Sequence, residues 1–82
     1  MAATEASREA YQNCIVDGAY SLRRKTSMKI EPLVDAAIEA CSAQVQQAMD
    51  DMVKHGIAPA AARKILDDAK RFARAVLITK LA

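Results

Sequence analysis

The amino-acid sequence predicts an all-α fold, a three-helix antiparallel bundle that forms one domain over residues 1–82. Two features of the composition exclude other classes. Two Gly, two Pro and three aromatic residues are too few for the turns and strands of a β domain, and the 52% apolar content exceeds that of disordered chains. Apolar positions recur at steps of three and four residues in three segments. Short connections between these segments make neighbouring helices antiparallel.

The first predicted helix covers residues 5–24. Thr4 is a suitable N-cap, and Glu5 lies in the first turn, where the helix dipole favours a carboxylate. A glycine costs a helix interior about 1 kcal/mol relative to alanine. Gly18 lies on the apolar stripe, which indicates that another helix passes close to it. The stripe consists of Tyr11, Cys14, Ile15, Gly18, Ala19 and Leu22.

The second predicted helix covers residues 32–55 and begins at Pro32, which suits a first helical turn. We expect Ser27 to cap a short turn that leads into it. Gly56 follows where helices commonly end in a left-handed residue, and Ile57 can supply the hydrophobic contact of such an end. The apolar stripe consists of Leu33, Val34, Ala37, Ile38, Cys41, Val45, Ala48, Met49, Met52 and Val53.

The third predicted helix covers residues 59–81 and again begins at a proline, Pro59. Its apolar stripe consists of Ala62, Ile65, Leu66, Ala69, Phe72, Ala73, Val76 and Leu77. A few apolar residues fall outside the three stripes, and they either are scattered surface residues or cover a partner or a homodimer seam. They are Val16, Met28, Ile57 and Ile78.

The two cysteines occupy facing positions in this arrangement. When the first two helices fold back on each other between Ser27 and Met28, residues at equal height have numbers that sum to about 55. Cys14 then faces Cys41, and Gly18 faces Ala37 one turn away. This predicts a disulfide, worth about 3–4 kcal/mol in the chain-entropy model and typical of an oxidising compartment such as a periplasm. The alternative is a pair of buried free thiols.

Basic residues cluster around the first connection, although the formal net charge is only +2. These candidate binding residues, suited to phosphate or an acidic partner, are Arg23, Arg24, Lys25 and Lys29. Arg23 and Arg24 also suit a helix C-terminus on structural grounds alone.

On the third helix, pairs of opposite charge four residues apart indicate a self-neutralised surface. These pairs are Arg63–Asp67, Lys64–Asp68 and Asp67–Arg71. No aromatic residues interleave with the cations, so nucleic acid is not the expected partner.

Residues typical of catalysis or metal binding are sparse. The chain has one histidine, no Gly-rich phosphate loop and no nucleophile elbow, so we expect no catalytic residues and no cofactor. Cys14, Cys41 and His55 lack the compact spacing of a metal site, and we expect none. We interpret His55 as a residue of the last helical turn, where the dipole favours a cation.

Neither a membrane span nor a secretory signal is evident. No apolar run approaches the length of a span. Residues 1–7 are Ala-rich and polar, so we expect an exported form to have carried its signal upstream of this sequence.

The segment Tyr11-Gln12-Asn13-Cys14 forms a YxxC pattern, and it is followed by Asp35-Ala36-Ala37-Ile38-Glu39-Ala40-Cys41 and by Ile57-Ala58-Pro59. This arrangement, from about Tyr11 to Leu81, resembles a loose group of small, Ala-rich helical bacterial proteins of unknown function, most of which carry export signals. In that group Cys14 and Cys41 would match two recurring cysteines. The resemblance implies a helical fold and an exported location, and the group has no established activity that could be carried over.

The sequence therefore leads to the hypothesis of a non-catalytic structural or protein-interaction module, exported to the bacterial envelope. The partner is an unidentified protein or a second copy. The alternative is a cytosolic or phage-type protein that binds nucleic acid or an acidic protein through the basic first connection.

Overall fold

The all-α prediction is confirmed, but the number of helices is four within the described part of the chain. The computed structural model describes residues 2–82, with side chains from Glu5 onward. The helices are α1 (Ala2–Lys25), α2 (Ile30–Ala40), α3 (Ser42–Lys54) and α4 (Pro59–Leu81). Because α2 and α3 follow each other with one residue between them, they form a single interrupted rod. Three rods then pack side by side into a body of 42 × 19 × 19 Å.

The prediction of one continuous helix over residues 32–55 is wrong, because the rod breaks at Cys41. This residue adopts φ −96° and ψ 15°, values found at turn corners rather than in helices. Its N–H donates to the carbonyl of Ile38, three residues back, at 3.0 Å. The α-helical ladder is therefore interrupted at the residue that is joined to α1. No Gly or Pro marks the break in the sequence.

The helix ends agree with the predicted signals at α3 and α4. Gly56 has φ 94°, and the N–H groups of Gly56 and Ile57 donate to the carbonyls of Val53 and Met52, each at 3.0 Å. This pair of bonds is the Schellman motif, which only a left-handed residue closes readily. Pro59 occupies the first turn of α4, as predicted.

The first two helices begin differently from the prediction. Helix α1 starts at Ala2 rather than at residue 5, and the predicted cap by the Thr4 side chain lies outside the described side chains. Helix α2 starts at Ile30, with Lys29 as an N-cap that makes no side-chain capping bond, so the predicted role of Ser27 is wrong. Pro32 remains in the first turn, where its missing N–H leaves no helical bond unmade.

Three contacts establish the directions of the rods. Gly18 on α1 lies against Ala37 on α2, as the antiparallel pairing predicts. Arg74 on α4 reaches Asp35 on α2 at 2.8 Å. The Gln12 side chain on α1 donates from Nε2 to the carbonyl of Ala69 on α4 at 3.3 Å. Two cavities are also lined jointly by residues from the N-terminal halves of α1 and α4. Together with the three contacts, this makes α4 parallel to α1 and antiparallel to α2 and α3.

The core follows most of the predicted stripes and is rich in alanine. Its buried members are Tyr11, Ile15, Ala19, Leu33, Val34, Ala37, Cys41, Ala48, Met52, Ala62, Leu66, Ala69, Ala73, Leu77 and Leu81. Small side chains at these positions let the rods approach closely but bury little apolar area per residue. A core of this kind gains from additional cross-links.

Two stripe residues are misassigned, since Phe72 is 66% exposed and Val53 is 42% exposed. Both lie at the edge of their apolar stripe, and each stripe is wider than the part of the helix surface that the neighbouring helices cover. The apolar residues that the sequence placed outside the stripes differ in burial. Met28 is exposed, whereas Val16, Ile57 and Ile78 are partly buried against the core.

Candidate functional site

The cysteine pair lies in the seam between α1 and the α2–α3 rod. The Cα atoms of Cys14 and Cys41 are 6.1 Å apart, and their sulfurs lie within bonding distance. Cys41 is buried and Cys14 is half-buried. One turn away, a Cβ placed on Gly18 would be 3.5 Å from the Cβ of Ala37. An alanine side chain would therefore fit at Gly18, so the close approach of the two backbones does not require the glycine. The 6.1 Å between the two Cα atoms lies within the range of a disulfide.

The predicted basic residues of the first connection are brought to one end of the bundle. Arg23, Arg24 and Lys25 form the last turn of α1, and Lys29 precedes α2. All four are exposed. Because α4 is parallel to α1, Lys80 in the last turn of α4 joins them at the same end. We call these five residues the basic end. Within the described residues they take part in no ion pair.

The charges of α4 are paired only in part, and one predicted pair occurs as expected. Lys64 lies 3.6 Å from Asp68, which confirms that pair. Asp67 lies 3.5 Å from Lys70, three residues on, rather than beside Arg63 or Arg71. The self-neutralised surface is thus observed for part of the helix.

One ion pair that the sequence analysis missed joins two rods. The Nε of Arg74 donates to Oδ1 of Asp35 at 2.8 Å, and a second, longer contact of 3.5 Å reaches Oδ2. The hydrogen bond from Arg74 lowers the pKa of the Asp35 carboxyl, and the nearby guanidinium charge adds to this effect. No spacing along one helix could reveal this pair, because 39 residues separate its members.

An exposed apolar area lies on the outer side of α4. We define the Phe72 surface as Ile65, Phe72, Ala75, Val76 and Thr79. Phe72 is the most exposed of its large hydrophobic residues, and Ile65 and Val76 are half-buried beside it. Arg8 of α1 and Asp68 flank one end, and Lys80 flanks the other. The helical period had assigned three of these residues to the core, so the sequence analysis did not identify this surface.

His55 has a structural role at the end of α3. It is the C-cap residue, and its Nδ1 lies 2.8 Å from the carbonyl oxygen of Asp51, to which the Nδ1–H tautomer donates. Within residues 2–82, no three His, Cys, Asp or Glu side chains lie close enough together to hold a metal ion.

Comparison of the chain with protein-family models, curated proteins and solved structures gave no match. None of the helices in the described residues is both long enough and apolar enough to cross a membrane.

Proposed function

We propose that this chain is a non-catalytic protein-interaction module of the bacterial envelope, which binds a protein partner through the Phe72 surface. The exposed ring of Phe72 is the observation that carries the proposal. The chain has a single phenylalanine, and its side chain is outside a core that consists largely of smaller residues. Burial of such a ring is worth roughly 1.5–3 kcal/mol, which a partner that covers it would gain. Apolar surfaces with polar rims are typical of interaction sites.

The flanking charges indicate the chemistry of this partner. Arg8 and Lys80 border the apolar centre, whereas the nearby Asp68 is engaged by Lys64. A complementary surface therefore has an apolar centre and an acidic rim. A second copy is a poorer match, because a twofold dimer brings two sets of the same cations into one interface.

The cysteine pair and the resemblance to exported helical proteins support the envelope location. A bond between Cys14 and Cys41 persists in oxidising compartments, while cytosolic thiols are kept reduced. The test is alkylation of the native protein before and after reduction, followed by mass spectrometry. We expect no alkylation before reduction and two alkylated cysteines afterwards. Two reactive thiols in the native protein would reject the envelope location.

Site-specific photo-cross-linking tests the interaction surface. A benzophenone amino acid is placed at position 72 or, as a matched control, at position 53, which is also an exposed apolar site but lies on α3. In cells of the organism that encodes the chain, we expect one defined heterologous product from position 72 and none from position 53. The product should be lost when Val76→Glu is added.

Other cross-linking outcomes would reject the proposal. A product with the mass of two copies would replace the partner with a homodimer. Equal labelling from positions 72 and 53, or no product from position 72, would show that the Phe72 surface is not a specific interface.

A second candidate function is binding of an acidic protein or nucleic acid through the basic end. It is favoured by the convergence of Arg23, Arg24, Lys25 and Lys29 with Lys80. The test compares random DNA and RNA pools with an acidic peptide, over a range of salt concentrations. We expect weakened binding in Arg23→Gln/Arg24→Gln and unchanged binding in Phe72→Ser. Absence of binding to all three probes at physiological salt would reject this function.

A further inference from the structure

A cavity lies where the interruption between α2 and α3 faces α1 and α4, on a different side of the bundle from the Phe72 surface. Its volume is about 280 Å³, close to the lower limit of typical small-molecule sites. Apolar side chains form most of its walls, and they come from all three rods. These residues are Tyr11, Ile38, Val45, Met49 and Leu66.

Among the buried residues that line this cavity, Tyr11 carries a polar group, its hydroxyl. Tyr11 is only 2% exposed, and its hydroxyl makes no hydrogen bond to any group of the described residues. Since no buried side-chain polar atom of these residues lacks both a partner and solvent contact, the hydroxyl keeps some solvent contact, and Tyr11 lines this cavity. Burial raises the pKa of Tyr11, with a smaller contribution from Asp67, so the group remains a hydrogen-bond donor.

The charged residues at the rim differ in whether they are already engaged. Lys70 pairs with Asp67 at 3.5 Å. Glu39 and Lys70 also occupy corresponding positions on α2 and α4, one turn from the Asp35–Arg74 contact. Two charged residues that line the cavity, Glu39 on α2 and Arg63 on α4, have no ion pair within the described residues. Arg63 is thus the cation that remains for a ligand.

We propose that this cavity binds a small carboxylate with an aliphatic body. The carboxylate accepts hydrogen bonds from the Arg63 guanidinium and the Tyr11 hydroxyl, and the aliphatic body packs against the apolar walls. An uncharged ligand would leave Arg63 unused. The unpaired carboxylate of Glu39 lies on the α2 side of the cavity, level with Lys70, so we place the ligand carboxylate at the end of the cavity where Arg63 lies. The small volume favours a medium-length chain over a long one. This activity is separate from protein binding at the Phe72 surface, and neither depends on the other.

Titration of the intact, oxidised chain with octanoate tests this proposal. Amide chemical shifts of ¹⁵N-labelled protein are followed, and we expect saturable changes centred on Tyr11, Val45 and Leu66. Arg63→Gln should weaken octanoate binding about tenfold, the size expected for one charge-assisted hydrogen bond. Arg71→Gln is the matched control, because Arg71 lies on the same helix but outside this cavity, and it should leave the affinity unchanged.

Two further measurements separate the proposed contacts. Tyr11→Phe keeps the ring and removes the hydroxyl, so it should weaken octanoate binding about threefold to tenfold. Binding of 1-octanol should be weaker than that of octanoate and insensitive to Arg63→Gln. The proposal is overturned if octanoate produces no saturable shifts, if the shifts centre on Phe72, or if Arg63→Gln and Arg71→Gln behave alike.

Discussion

Helix α1 packs against α2 and against α4 in different ways. Towards α2, Gly18 meets Ala37 and the sulfurs of Cys14 and Cys41 lie within bonding distance. Towards α4, small residues such as Ala69 and a single side-chain bond from Gln12 make the contact, and Phe72 remains outside. The comparison shows that small residues bring helices together on both sides, while a covalent link secures only one of them.

The largest expected change in the free energy of unfolding comes from removing the link between Cys14 and Cys41. Replacing both cysteines, as Cys14→Ser/Cys41→Ser, should lower the free energy of unfolding by about 3–4 kcal/mol, because the unfolded chain regains the freedom of the closed loop. Urea denaturation of the oxidised protein and the variant measures this difference. A reductant should destabilise the native chain and have no effect on the variant. Equal stability of the oxidised and reduced chains would mean that α1 and α2 hold together without the link.

Enlarging the side chain at the same seam tests the close approach. Gly18→Leu should destabilise the fold by about 1–3 kcal/mol through overpacking against Ala37. Gly18→Ala should instead stabilise it by about 0.5–1 kcal/mol, because its Cβ would make only an ordinary contact and alanine favours the helix. Thermal unfolding compares them with Ala43→Leu, an exposed control on α3. If Gly18→Leu were as harmless as this control, the seam would not be close-packed.

Substitutions on the outer side of α4 should change the free energy of unfolding much less. Phe72→Ala is expected to change the free energy of unfolding by no more than about 0.5 kcal/mol, since the ring is mostly exposed. Leu66→Ala, on the inner side of the same helix, should cost about 2–5 kcal/mol. Denaturation of both variants measures the contrast. A large loss from Phe72→Ala would show that the ring supports the fold and is not reserved for a partner.

The smallest effect is expected at the ion pair between α2 and α4. Both side chains are exposed enough for solvent to screen them, so Asp35→Asn should reduce stability only slightly near neutral pH. The pKa of Asp35 is lower in the fold than in the unfolded chain. Its contribution is therefore present above the unfolded pKa and is lost as the pH falls through the folded value.

Unfolding of the native chain and Asp35→Asn, compared at pH 6 and at pH 2.5, checks this sign. The difference should shrink as the pH falls, because the carboxyl of Asp35 becomes protonated in the fold. A difference that stays constant, or one that grows on acidification, would contradict the assignment. Lys64→Gln, which breaks a pair within α4, is the control for a general change in surface charge.

The sequence was sufficient for features that depend on local chemistry or on register. The spacing of Cys14 and Cys41, together with Gly18 on the same stripe, predicted the α1–α2 seam because a short connection sets the register of an antiparallel helix pair. Gly56 predicted the end of α3 because few residues adopt a positive φ.

Other features depend on how wide a seam each rod buries, which periodicity alone does not define. The stripe of α4 includes both Leu66 and Phe72, and only packing against the other rods decides which one is inside. The break at Cys41 has no Gly or Pro signal. The Tyr11 cavity and the Asp35–Arg74 pair arise from residues far apart in the chain, which meet only after the three rods assemble.

The unequal exposure of the two cysteines has a chemical consequence for thiol exchange. An incoming thiolate must approach one sulfur along the axis of the bond, and the other sulfur then departs. Cys41 is almost fully covered, while the Cys14 side is half-open. A small thiolate is therefore expected to attack the sulfur of Cys14, the more exposed residue, which would form a mixed disulfide there and release Cys41 as a thiolate beside the helix break.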